Sequence, residues 1–217
     1  MDDLLVRLNL VDACAVSDAL DKLGLTGTVT GLHRLSTYLR VAGRVVTVKL
    51  DRADGRPAGV RHLGTAAIEA AEVGDVIVVE QRTGIDAAGW GGNLSLGAKL
   101  RGVAGVIVEG PARDVDECRL YDFPMFARTH TARTARGRIL ETATNVPIIV
   151  GDTLVSPGDY VVADGSAVVF VPRLDVERVL LAAEEIVKRE RAMADSLRQG
   201  TPISQVMGKL YETMLEK

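Results

Sequence analysis

Residues Trp90 to Glu117 read WGGNLSLGAKLRGVAGVIVEGPARDVDE, and the reading of this stretch decides the fold. Gly91 and Gly92 form a turn, and apolar spacing predicts a helix that starts near Gly92-Asn93 and stops at Gly102. Ala104 to Glu109 has the composition of a buried strand, followed by a second turn at Gly110-Pro111 and the charged pair Arg113-Asp114. At about 1.5 Å per helical residue and 3.3 Å per strand residue, helix and returning strand each span roughly 15–20 Å. Matched legs bring Arg113-Asp114 back beside the helix start at Gly91, Gly92, Asn93 and Leu94. Free N–H groups at a helix start attract anions, and the second turn adds a cation and a metal-capable carboxylate. Such a corner suits a small carboxylate.

Working outward, the upstream chain is read as a helix over residues 2–10 and another with Val16, Ala19, Leu20 and Leu23 at helical spacing, stopped by Gly24. Thr26 to Leu39 shows turn residues without a period. Gly43 to Leu50 is a β-branched strand, Arg52 to Pro57 a polar turn, Leu63 to Ala71 a helix ended at Gly74, and Asp75 to Glu80 a buried strand. Downstream, strands are expected at 125–129, 139–144, 146–150, 159–163 and 167–171, punctuated by Gly151-Asp152, Pro157-Gly158 and Asp164-Gly165. Alternating strands and helices followed by a β-rich half imply a layered α/β domain rather than a pure parallel sheet. A helical tail follows from Leu174 to Gln199, with Glu190 on its apolar stripe, where a carboxylate must be paired, metal-linked or near water. Thr201-Pro202 opens a last helix with Val206, Leu210, Tyr211 and Met214 aligned. The whole is taken as one domain, 1–217, with its tail over 174–217.

At 217 residues, 47% hydrophobic and 25% charged, the chain can bury a substantial core. A net charge of −3 leaves no whole-chain footprint for nucleic acid. The acidic start MDDLLVRLNLVD is unlike a secretory signal, and no apolar run is long enough to span a membrane. Two cysteines, Cys14 and Cys118, fit free thiols in the cytoplasm.

Rival chemistries are weak. Neither GxGxxG nor GxxxxGK[ST] is present, and Ser95 in NLSLG fails the G-x-S-x-G pattern. His33, His62 and His130 are scattered and read as surface or structural histidines, and Lys49 and Lys99 as solvated. Arg113-Asp114 stands out because it follows a buried strand, although an isolated Arg-Asp pair is ordinarily a surface ion pair. Carboxylates without a His or thiolate cluster favour a hard cation, Mg²⁺ or Mn²⁺. Asp116 and Glu117 are read as solvated and Cys118 as packed.

The strings GGNL and GVAGVIVEGPARDVDE resemble the signature of the family joining RraA-like proteins, regulators of ribonuclease activity, to the 4-hydroxy-4-methyl-2-oxoglutarate aldolases. AVSDALDKLGLTGTV, HLGTAAIEAAEVGDVIVVE and VPIIVGDTLVSPGDYVVADGSAVVFVP look like further family blocks in family order, so the likeness covers most of residues 12–190. The resemblance implies a layered α/β/β sandwich of the swivelling, phosphohistidine-domain-like type, assembled as a homotrimer or hexamer with sites between subunits. It also implies a divalent-metal-dependent lyase that cleaves 4-hydroxy-2-oxoacids to pyruvate, with oxaloacetate decarboxylation as a side activity. Carried over by position, Gly91, Gly92, Asn93 and Leu94 would bind the pyruvate moiety through their backbone. Arg113 would bind it and stabilise the enolate, Asp114 would hold Mg²⁺ or Mn²⁺, and Glu190 would be an acid supplied by an adjacent subunit. The alternative is a non-catalytic regulator that docks on a ribonuclease. Two departures stand out: some aldolases carry an acid where this chain has Gly92-Asn93, and Ala167 sits where glycine is usual.

Overall fold

Two helices open the chain, α1 (Asp3–Leu8) and α2 (Ala13–Leu23), in a computed structural model that describes residues 3–57, 59 and 61–208. Asp12 caps α2 by accepting the Ala15 N–H at 2.9 Å, and Gly24 ends it in the left-handed conformation, at φ 69°. Two-residue strands β1 (Thr28–Val29) and β2 (His33–Arg34) occupy the stretch that lacked a period. Strand β3 (Val41–Arg52) then leads through a long loop to α3 (Thr65–Ala70) and β4 (Val76–Glu80). Next come α4 (Gly92–Arg101), β5 (Gly105–Ala112), α5 (Val115–Leu120) and β6 (Met125–His130). The β-rich half supplies β7 (Ile139–Thr144), β8 (Ile148–Val150), β9 (Thr153–Val155), β10 (Tyr160–Ala163) and β11 (Val168–Val171). The tail is α6 (Val176–Arg198) and a short α7 (Ile203–Val206).

The sheet runs β1-β11-β10-β3-β4-β5-β6-β2, with β7 also paired to β3. Strands β3, β4, β5 and β6 are mutually parallel, and every other pairing is antiparallel. This is the mixed α/β architecture expected. Strand β3 joins the two regimes: Val41–Arg44 pair with β10, Val45–Lys49 with β4, and its distal end with β7. Its residues are almost continuously buried, as expected for a strand covered on both faces.

The sheet curls, because residues from its two wings meet in one inner core. Val161, Val168 and Phe170 from β10 and β11 pack with Val78, Ile107 and Phe126 from β4, β5 and β6, with Ile148 and Val150 closing the space. Two further cores lie on the outer faces. Helices α3, α4 and α5 cover the parallel half through Ala67, Leu94, Ala98 and Cys118. Helices α1, α2 and α6 cover β10 and β11 through Leu8, Val16, Leu20, Val179, Leu180 and Ile186.

Several expectations are corrected. Gly110-Pro111 does not turn the chain; both residues lie within β5, whose register against β6 shifts between Val108 and Pro111. A bulge absorbs the proline, which has no N–H for the ladder. The helix expected to end at Gly74 spans only Thr65–Ala70, and Gly74 is a left-handed turn before β4. Val146 precedes β8 rather than belonging to it, and α5 and β9 are additional elements that local pattern does not mark. The buried stripe of α6 stops at Ile186, so Glu190 is exposed rather than embedded in a packing face. Leu210, Tyr211 and Met214 of the expected last helix lie outside the described residues.

Candidate functional site

The loops that follow the four parallel strands converge on one cleft, at the carboxyl ends where open α/β sheets hold their ligands. The loop after β3 brings His62, and that after β4 brings Trp90, Gly91 and Gly92. Arg113 and Asp114 follow β5, and Arg136 lies in the loop after β6. Backbone bonds tie these loops together. Arg113 N–H donates to Trp90 O at 3.0 Å, Gly89 N–H to Pro111 O at 2.8 Å, and Ala88 N–H to Arg133 O at 3.0 Å.

Asp114 is the pivot. It ends β5 in the left-handed conformation, φ 55° and ψ 43°, which asparagine and aspartate tolerate better than most residues. Although it precedes α5, its side chain does not cap that helix. The carboxylate turns back instead, and its Oδ2 accepts the Gly92 N–H at 2.8 Å, the first free donor of α4. Arg113 Nε stands 3.3 Å from the same oxygen. Both side chains are about one-third exposed at the cleft, so the pair is neither buried nor fully solvated.

The two glycines make this approach possible. A Cβ on Gly91 would stand 2.7 Å from Asp114 Oδ2 and 3.2 Å from Arg113 Cγ and Nε. On Gly92 it would meet Asp114 Cβ at 3.2 Å and Glu117 Cβ at 3.3 Å. Beneath the turn, Trp90 Nε1 donates to Ser95 Oγ at 2.9 Å, and Ser95 Oγ donates to Gly91 O at 3.0 Å. Cys118 Sγ lies 3.1 Å from the same hydroxyl. Burial pushes the Cys118 thiol up, against a lowering hydrogen bond from Ser95, and the Asp114 and Glu117 charges add to the rise. Cys118 is therefore a packed thiol rather than a thiolate nucleophile.

Comparison with known proteins shows the family. The sequence model of the RraA-like family, described as Aldolase/RraA, matches residues 13–170. The chain belongs to the RraA-like family. A relative from Halalkalibacterium halodurans is 31% identical over 204 residues, 90% of each chain, and its name gives 4-hydroxy-4-methyl-2-oxoglutarate aldolase as a provisional activity. A Pseudomonas syringae structure of an uncharacterized protein superposes with TM-score 0.85 at 27% identity, over 96% of this chain and 98% of that one. Streptomyces coelicolor RraAS2, described as an unusual member of the RNase ES inhibitor RraA family, superposes with TM-score 0.79 at 25% identity, over 88% and 95%.

In this RraA-like chain the expected site residues divide. Gly91, Gly92, Asn93, Leu94, Arg113 and Asp114 share the cleft. Glu190 does not line it; it is exposed on α6, near Asp12 and Asp18 of the α2 segment. Partial desolvation, then the charges of Asp12 and Asp18, raise the Glu190 carboxyl above its ordinary range.

His62, Thr65, Thr134 and Arg136 line the cleft without having been singled out as site residues. Each lies in or beside a loop of no periodicity, and only the parallel strand ends bring them together. His62 is exposed, as read from sequence, yet it faces the cleft.

The donor set suits one kind of metal. Among the described residues no group of three or more His, Cys, Asp and Glu side chains converges to enclose an ion. Among the described residues Asp114 is the one carboxylate that lines the cleft, and its Oδ1 has no hydrogen bond. Asp114 is the residue of the cleft that could hold a hard cation such as Mg²⁺ or Mn²⁺ through its carboxylate.

Proposed function

We propose that the chain is a carbon–carbon lyase that cleaves 4-hydroxy-2-oxoacids, such as 4-hydroxy-4-methyl-2-oxoglutarate, to pyruvate. The observation that carries this reading is the Gly91-Gly92 turn packed against Arg113 and Asp114, with a cation, a carboxylate and free helix N–H groups around one cleft. The relatives named for this activity support it.

In the reaction the C3–C4 bond breaks as the 4-hydroxyl proton passes to a water molecule in the open cleft and on to solvent. The bonding electrons pass into the enolate of pyruvate, which takes a proton at C3, and C4 departs as a carbonyl. The backbone N–H groups of Asn93 and Leu94 and the Arg113 guanidinium hold the pyruvate carboxylate. Arg113 also offsets the negative charge that develops on the enolate, where a preorganised donor has its largest effect. Asp114 would hold Mg²⁺ or Mn²⁺, which when bound supplies Lewis-acid polarisation of the 2-oxo group. Gly92 N–H fixes the orientation of that carboxylate. Oxaloacetate decarboxylation yields the same enolate and is the expected side activity.

Glu190, absent from the cleft of its own chain, would serve a neighbouring subunit's cleft in a homotrimer or hexamer. The layered α/β/β arrangement is consistent with the swivelling type. Pyruvate release across a panel of 4-hydroxy-2-oxoacids with Mg²⁺, repeated with EDTA, tests the reading. Arg113→Ala is expected to lower kcat by roughly 10²–10³, and activity within threefold of wild type at saturating Mg²⁺ would refute its role.

The kinship with the Streptomyces coelicolor RNase ES inhibitor family supports a second reading, a regulator that docks on a ribonuclease. Retention of nuclease binding by Arg113→Ala, in a chain that releases no pyruvate from any substrate, would favour it.

A further inference from the structure

We infer that Arg136 is a specificity-determining residue that binds a second carboxylate, on the part of the substrate distal to the pyruvate moiety. This rests on the lyase reading and adds a role for a residue outside the pyruvate corner. The cleft that holds Arg113 and Asp114 adjoins a second cavity, and the two share His62, Leu63, Ala135 and Arg136 as walls. A ligand seated in the pyruvate corner therefore extends past Arg136 as it lengthens.

The charges around the two cavities are not equivalent. Arg113 lies against Asp114, Arg56 pairs with Asp51 at 2.8 Å, and Arg61 pairs with Glu69 at 2.8 Å. Glu141, on the second cavity's wall, accepts the Gly64 N–H at 2.6 Å and a hydrogen bond with Thr144, so it is committed to the backbone turn. Among the described residues the Arg136 guanidinium has neither an ion pair nor a hydrogen bond; only its backbone N–H is engaged, by Thr134 Oγ1 at 3.3 Å. One cation at the junction thus remains without an anion of its own chain. A guanidinium presents a planar fork of donors that matches a carboxylate with two parallel bonds. Arg136, in the loop after β6, lines both the cleft and the adjoining cavity, whereas Arg113 and Asp114 line the cleft alone.

The test separates binding from turnover. 2-Oxoglutarate and 2-oxopentanoate have five carbons each and differ in one terminal carboxylate. Isothermal titration of the full chain with Mg²⁺ is expected to show the diacid bound about tenfold or more tightly than the monoacid. Arg136→Met is expected to abolish that preference while leaving monoacid affinity within about twofold, and Arg136→Lys to restore part of it. Equal affinity of wild type for the two acids, or equal loss of both in Arg136→Met, overturns the assignment. Arg136 is exposed, so the variant is expected to fold, and circular dichroism checks this directly. Wild type that keeps the Arg136-dependent preference but releases no pyruvate from any 4-hydroxy-2-oxoacid would sink the lyase reading and support the role of Arg136.

Discussion

Replacing Gly91 with alanine puts the most direct strain on the site. Gly91 has extended backbone, φ −157° and ψ −173°, so alanine meets no conformational penalty there. The added Cβ would instead stand 2.7 Å from Asp114 Oδ2, where ordinary contact begins near 3.4 Å. The carboxylate must retreat by roughly 0.7 Å, because misplacement on that scale is what relieves such an overlap. Arg113 Cγ and Nε, at 3.2 Å, must shift with it. The retreat weakens the bond from Gly92 N–H to Asp114, a charged hydrogen bond worth about 1.5–3 kcal/mol when buried. Here water reaches the carboxylate, so the loss is nearer 1 kcal/mol. Alanine also restricts the unfolded chain and returns about 0.4–1 kcal/mol. Stability should therefore change by less than about 1 kcal/mol, or roughly 4 °C in Tm at most. Activity should fall about 10²-fold, since ångström-scale displacement of a positioned group costs that much. Calorimetry beside a pyruvate-release assay with saturating Mg²⁺ reads both quantities. A folded variant with near-wild-type turnover would refute the inference that the bare glycine seats the Arg113-Asp114 pair.

Three further outcomes follow from the same geometry. Gly110→Ala is expected to cost at least about 2 kcal/mol in denaturant melts, because its Cβ would stand 2.5 Å from the Gln81 backbone oxygen and the two strands must part. Ser95→Ala leaves the buried Trp90 indole N–H without its acceptor and should lower stability by about 1–3 kcal/mol, while Ser95→Thr, which keeps the hydroxyl, loses less. For Glu190 the sign runs against the usual acid case. Its carboxyl is raised in the folded chain by partial desolvation and by Asp12 and Asp18, so its ionisation opposes folding as pH climbs from the ordinary carboxylate range through the raised value. Glu190→Gln should raise Tm at pH 7 and lose that advantage at about pH 3, below the ordinary carboxylate range, where both states are protonated, and no Tm gain at pH 7 would count against the repulsion.

Local pattern specifies the helix and strand of the Trp90–Glu117 unit and their return geometry. Periodicity is a local property, and Gly102 at φ 84° marks a boundary that composition announces. The closeness of Asp114 to Gly92 followed from matched leg lengths, without knowledge of neighbouring strands. The Gly110-Pro111 bulge was not legible, because the same dipeptide signals a turn when read alone and a bulge only when β6 lies alongside. Glu190 shows the opposite failure: its helical spacing is right, but the core it should face ends one turn earlier, at Ile186. His62 and Arg136 reach the cleft from loops separated by three strands and three helices, and nothing in their local sequence marks them. Convergence of loops at the ends of parallel strands depends on which strands are neighbours, a long-range choice made by the packing of the three cores. Local pattern therefore supplied the turn and the pair, and the long-range pairing of strands brought the remaining lining residues, His62 and Arg136 among them, to the same cleft.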